Sequence, residues 1–191
     1  PVSEGGVLEK KGMVEVISSL EADGRKIPYD IRMGVWVTVE AETDYIKNCF
    51  EEYNAHTDPS GRYFTLYKRW HLIGLEVGVS VASVALRGEP TGVATAWNAD
   101  VVATAKRDLA VGEVLDGEGG YTVWGKLLPA QKSAQMGGLP LGLAHNVKMI
   151  RPVKKGESLT WSHVAMDTSA PAYKVRKEME KLFTPAMLKA A

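Results

Sequence analysis

The sequence predicts an α+β protein: a mixed or antiparallel sheet with two helices, then an all-β segment of short strands, then a C-terminal helix. Three observations carry this reading. Strand and helix signals alternate over residues 1–98. Helical periodicity stops near Asn98, where short apolar runs punctuated by Gly and Pro take over. An amphipathic run resumes after Pro171, with Tyr173, Val175, Met179, Leu182 and Phe183 on one face.

Each element follows from local chemistry. Residues 13–20 are rich in β-formers and run into the turn-like Ala22-Asp23-Gly24-Arg25. Residues 31–40, centred on Val35 to Val39, give the strongest strand signal, and the two strands are expected to form a hairpin-like pair with a long connection. Thr43 is placed to cap a helix, Asp44 favours its positive end, and Tyr45, Ile46, Cys49, Phe50 and Tyr53 follow at helical spacing. Cys49 then reads as a packed residue, because no base has the spacing to activate it. After a loop at 56–61, residues 63–69 alternate as a strand. Residues 72–86 are long and apolar enough for a buried helix, with Gly74, Gly78, Ala82 and Ala85 forming a small-residue face. Arg87-Gly88-Glu89-Pro90 should end it. In the last helix, Lys174, Arg176, Lys177 and Lys181 read as a solvated face.

Composition bounds the function. The chain has 191 residues, 23 basic and 23 acidic, so it lacks the basic excess of a nucleic-acid binder. One cysteine excludes an internal disulfide framework. No apolar run approaches the roughly 18 residues of a membrane span, and no signal peptide opens the chain, so a cytoplasmic setting is expected. The chain opens on Pro1 rather than Met, which reads as the boundary of a piece of something longer.

Residues 105–115 and 149–159 share the pattern Arg-x-[Leu/Val]-x-x-Gly-Glu-x-Leu. In each, a strand ends, Gly112 or Gly156 makes a turn at an unusual backbone angle, and Leu115 or Leu159 returns to the core. Glu113 and Glu157 should sit exposed at the turns. This doubled pattern resembles the SAF domain, a β-clip fold, over about residues 99–167, and Ser158 to Val164 is similar to that family's end. With Tyr63 to Glu76 upstream, the chain resembles the C-terminal part of a bacterial oxidoreductase of the homoserine dehydrogenase-like, deoxyxylulose phosphate reductoisomerase-like class. The resemblance implies a catalytic and dimerisation region at 1–98, an SAF-like β-clip at 99–167 and a helical tail at 168–191. It also implies NAD or NADP in the full-length parent, bound mainly by an N-terminal Rossmann domain absent from this chain. No Gly-x-Gly-x-x-Gly follows a strand here, and Gly117, Gly119 and Gly120 read as turn glycines. The isolated chain is therefore expected to bind no cofactor and to be inactive.

Tyr67-Lys68-Arg69-Trp70-His71 is the densest polar cluster, set where a strand runs into the apolar helix. Strand alternation puts Tyr67, Arg69 and His71 on one face and Lys68 and Trp70 on the other. Lys68 or Arg69 could hold a phosphate or carboxylate, and His71 could move a proton near neutral pH. The catalytic candidates are His71, Lys68 and Glu76, the last a catalytic carboxylate, an ion-pair partner of Lys68 or Arg69, or a cap of the helix start. Tyr67, Arg69 and His145 are candidates for substrate binding, His145 from a glycine-rich loop at 136–146. The bland alternative is a packed strand end with surface cations. His163 reads as a surface or capping residue, and no two histidines have metal-ligand spacing, so no metal is expected. The expected partners are a small polar substrate, with phosphorylated and sugar-derived molecules in range, the parent's Rossmann domain and a second copy in a homodimer. A module from another class, an SAF-type carbohydrate-binding or assembly domain without catalysis, is the rival reading.

Overall fold

The computed structural model describes residues 8, 12–17, 19–21, 23–30, 33–70 and 72–189, with side chains through 184. It is an α+β chain with four α-helices and antiparallel sheets of two or three strands among the described residues. The chain divides into two compact units, Pro1–Val93 and Ala94–Ala191.

In the first unit, β1 (Val35–Glu40) pairs antiparallel with β2 (Tyr63–Lys68), Val35 opposite Lys68 and Glu40 opposite Tyr63. Between them lies α1 (Asp44–Glu52), capped by the Thr43 hydroxyl, which accepts from the Ile46 N–H at 3.3 Å. Arg62 ties the helix start to the sheet, donating to the Ala41 carbonyl at 3.2 Å and the Asp44 carboxylate at 2.8 Å. Phe50 of α1 meets Phe64 of β2 at 5.6 Å between ring centres. Cys49 is half-buried rather than enclosed. The expected hairpin of residues 13–20 with β1 does not form. Among the described residues of that stretch only Leu20 enters a bridge, with Lys26, while β1 takes β2 as its partner.

Residues 73–87 are helical as expected: α2 (Ile73–Ala82) runs into a π-helical turn, Ser83–Arg87, ended by Gly88 at φ 69°. The expected burial is absent. No residue of α2 is buried, and Leu75 is 78% exposed. Hydropathy reports that a helix would gain by burial, but burial needs a surface to pack on.

The second unit holds the better-formed core. Here β3 (Ala99–Ala105) pairs antiparallel with β5 (Val123–Pro129). A second sheet runs β4 (Val114–Asp116), β6 (His145–Met149), β7 (Val164–Ala165), with β6 central. The two copies of the repeated pattern embrace one another across a local pseudo-twofold. Leu109 and Val153 exchange backbone bonds at 2.8 and 3.0 Å. Gly112 N–H donates to the Met149 carbonyl and Gly156 N–H to the Ala105 carbonyl, each at 2.8 Å. Gly112 and Gly156 take φ of 89° and 84°, and Leu115 and Leu159 return to full burial. Glu113 and Glu157 accept from the Ala110 and Lys154 N–H groups, both at 2.9 Å, closing their turns alike. Glu157 is exposed as expected; Glu113 is half-buried because Arg107 also binds it.

Two features of this unit depart from the sequence reading. A short helix, α3 (Ala130–Met136), interrupts the expected run of strands, opening after Pro129 and closing at Gly137 with φ 64°. In α4 (Pro171–Lys189), Arg176 is not on a solvated face. Its side chain is 13% exposed and forms a two-pronged pair with the buried Asp100, at 3.0 and 2.6 Å. A carboxylate buried on β3 demands a cation, and the planar guanidinium supplies two parallel donors.

Candidate functional site

The candidate cluster lies in the first unit, at the junction of β2 and α2. Lys68 is the last residue of β2 and Glu76 stands in the first turn of α2. The short connection brings the Lys68 ammonium to 2.5 Å from the Glu76 carboxylate. This resolves the pairing left open by sequence: Lys68 takes Glu76, and the Arg69 guanidinium lies 4.9 Å from the Trp70 ring centre. The Lys68 side chain is 64% exposed, so the pair adds little to stability and remains accessible from solvent. Chemically it presents an ammonium whose donors can reach a substrate oxygen, held in place by a carboxylate.

Tyr67 is fastened to the chain just ahead of β1, its hydroxyl donating to the Met33 carbonyl at 3.0 Å. Gly34 makes that approach possible. A Cβ there would stand 2.6 Å from the Lys68 carbonyl and 2.8 Å from the Tyr67 ring. His71 lies outside the described residues. His145 belongs to the second unit, on β6 rather than in a loop, with Nδ1 3.1 Å from the Asp116 carbonyl. An open groove of about 450 Å³ runs between residues 13–17 and β1, but Lys68, Arg69 and Glu76 do not line it. No group of three or more His, Cys, Asp or Glu side chains suited to a metal occurs among the described residues.

Gly117, Gly119 and Gly120 lie in the turn after β4, as expected, with Gly117 and Gly119 at φ of 76° and 77°. Asp116, ahead of them, accepts from the Tyr121 and Thr122 N–H groups at 2.6 and 3.0 Å and from the Thr122 hydroxyl. The backbone concavity already holds its own anion, and Gly120 is required because a Cβ would land on that carboxylate. A dinucleotide pyrophosphate does not fit there, and no reaction step is assigned through it. The Thr122 hydroxyl, followed by the Tyr121 N–H, lowers the Asp116 pKa from 3.8 to about 2. A group depressed in the folded state stabilises above its unfolded pKa, and that contribution is lost as pH falls through the folded value. Asp116→Asn is therefore expected to be less stable than the parent at pH 7, with a smaller further loss between pH 5 and pH 2. Urea unfolding at these pH values checks both halves; an unchanged acid limb refutes the assignment. Sequence reading missed Asp116, although a carboxylate before Gly-Glu-Gly-Gly and five residues before Tyr121 carried the signal.

Residues 1–77 match the protein family described as oxidoreductase DRL, catalytic domain. The match supports an oxidoreductase catalytic-domain portion at the start of the chain. It takes in Tyr67, Lys68, Arg69, His71 and Glu76 and leaves out His145. No curated protein matches the chain. No helix among the described residues is long and apolar enough to cross a membrane.

Proposed function

We propose that this chain is the substrate-binding, oligomerisation and SAF-like portion of an NAD(P)-dependent oxidoreductase acting on a small polar substrate. The observation that carries the reading is the coincidence of two independent ones: the oxidoreductase catalytic-domain match ends at residue 77, and the Lys68–Glu76 pair lies inside it. Lys68 would bind and polarise a substrate oxygen, Glu76 would hold Lys68 in place, and His71 would exchange a proton near neutral pH. The nicotinamide, bound on a domain outside this chain, would supply the hydride. On this reading the isolated chain transfers none. The crossed Gly-Glu repeats of the second unit support the SAF-like assignment, and phosphorylated or sugar-derived molecules suit the cationic Lys68 and Arg69.

The test is turnover by a full-length parent. Lys68→Ala and His71→Ala are each expected to lower kcat by about 10²–10⁴-fold, the usual worth of a positioned acid or base. Unchanged turnover in both removes the site. A homodimer is part of the proposal, since α2 and the π-helical turn after it carry exposed Leu75, Val79 and Leu86. Sedimentation that gives a monomer at micromolar concentration counts against it. The rival, a binding or assembly module without catalysis, draws on the crossed Gly-Glu repeats of the second unit. A parent gene without an upstream nucleotide-binding fingerprint would favour it.

A further inference from the structure

In the second unit, His163 closes a turn against which the C-terminal helix rests. Trp161–His163 form one 3-10 turn ahead of β7. The Thr160 N–H donates to His163 Nδ1 at 3.0 Å, and the Thr160 hydroxyl lies 3.2 Å from the same nitrogen. A ring nitrogen that accepts a backbone N–H carries a lone pair, so this geometry puts the imidazole proton on Nε2. Imidazolium bears N–H on both nitrogens and accepts nothing. The remaining ties of the turn do not titrate: Trp161 N–H donates to the Gly137 carbonyl at 3.0 Å, and Ile150 N–H to the His163 carbonyl at 2.9 Å.

The turn presents Trp161 to α4. Its ring meets Tyr173 edge to face at 5.5 Å, and the Lys177 ammonium stands 3.9 Å from its centre. Glu180 holds Lys177 at 2.7 Å. A separate anchor, Arg176 on Asp100, secures the same helix.

We propose that His163 is a proton-operated latch. With Nδ1 bare, the turn is closed and Trp161 is seated on Tyr173 and Lys177. Protonation removes the acceptor of the Thr160 N–H and loosens the seat of Trp161 on α4, while the Gly137 and Ile150 backbone bonds hold the turn and Arg176 holds the helix. The charged groups acting on His163 are Arg151, which follows β6, and Glu157, in the preceding turn; Lys177 and Glu180 of α4 bear on Trp161. Burial first, then Arg151, lowers the His163 pKa, against an opposing pull from Glu157. The latch is thus closed at neutral pH and opens on the acid side.

The experiment is a pH titration of the full chain by NMR from pH 7.5 to 5, following the His163 ring, the Thr160 amide and the Trp161 indole. The expected result is that all three move with one midpoint below the ordinary histidine value of about 6.5, with Thr160 exchange protection falling up to about tenfold per pH unit. His163→Gln keeps an acceptor without a titrating group, and its Trp161 signal should stay flat and seated. A Trp161 signal that ignores the His163 titration overturns the proposal, as does the same transition in His163→Gln. If that variant does not fold, the parent titration decides alone.

Discussion

An Arg176→Ala chain should unfold its second unit with about 3–5 kcal/mol less stability than the parent, the usual cost of removing one partner of a buried ion pair. The cost arises from what stays behind. Asp100 is 7% exposed and would keep only the Ser133 hydroxyl, at 2.6 Å, and the adjoining Val101 N–H, at 3.1 Å. A buried carboxylate with two neutral donors has lost the charge that balanced it. Glu180 also loses its 2.9 Å bond from Arg176 Nε, and Trp97 loses the guanidinium 4.7 Å from its ring centre. Arg176→Lys should recover only part of the loss, because a point charge cannot reproduce the fork toward Asp100 or the third bond to Glu180. Asp100→Ala should be comparably costly, and the double variant should cost clearly less than the two single losses added together. Urea unfolding of the four variants measures this. Additive losses, or an Arg176→Ala loss under about 1 kcal/mol, would place Arg176 on the solvated face that the sequence suggested.

That misplacement shows where a sequence stops being readable. Periodicity assigns α4 and marks Arg176 as lying off its apolar stripe. Nothing local reveals a carboxylate 76 residues earlier that draws it inward. At 73–82 composition signals the helix but not its exposure, for a related reason: it states a preference for burial, and packing depends on neighbours. The seven-residue α3 is too short for a periodicity window, though Pro129 and Gly137 bracket it with the expected start and stop chemistry. Local signals did better. Thr43 caps α1 as its side-chain chemistry requires, and Gly112 and Gly156 occupy the left-handed turns that their repeat demanded. At the candidate site, spacing brought Lys68, Arg69 and Glu76 together but left two pairings equally available. The choice of Lys68 depends on where β2 ends and α2 begins, which is a matter of three-dimensional connection rather than composition.

The repeat supports a second large effect. Leu115→Ala and Leu159→Ala should each destabilise the second unit by about 2–5 kcal/mol, the range for emptying a fully buried leucine site. Both side chains are at 0% exposure, and both follow a Gly-Glu turn closed by the same carboxylate-to-backbone bond. Their backbones are held differently, Leu115 in register with Val147 of β6 and Leu159 by donation to the Ala103 carbonyl at 2.8 Å. Neither segment can shift inward to fill the cavity without breaking these ties, so little relaxation is expected and the losses should fall well inside the range. Leu75→Ala supplies the comparison: the same side chain is deleted at 78% exposure, and in a chain diluted to the monomer the change should stay within about 0.5 kcal/mol. Urea unfolding of the three chains compares one chemical change at two depths. A Leu159→Ala loss as small as that of Leu75→Ala would mean that the crossed repeats do not enclose a packed core. A large loss at Leu75 would mean that α2 is covered in solution, as the proposed homodimer requires. The comparison therefore reads out the first unit's partner surface while the repeat variants read out the second unit's core.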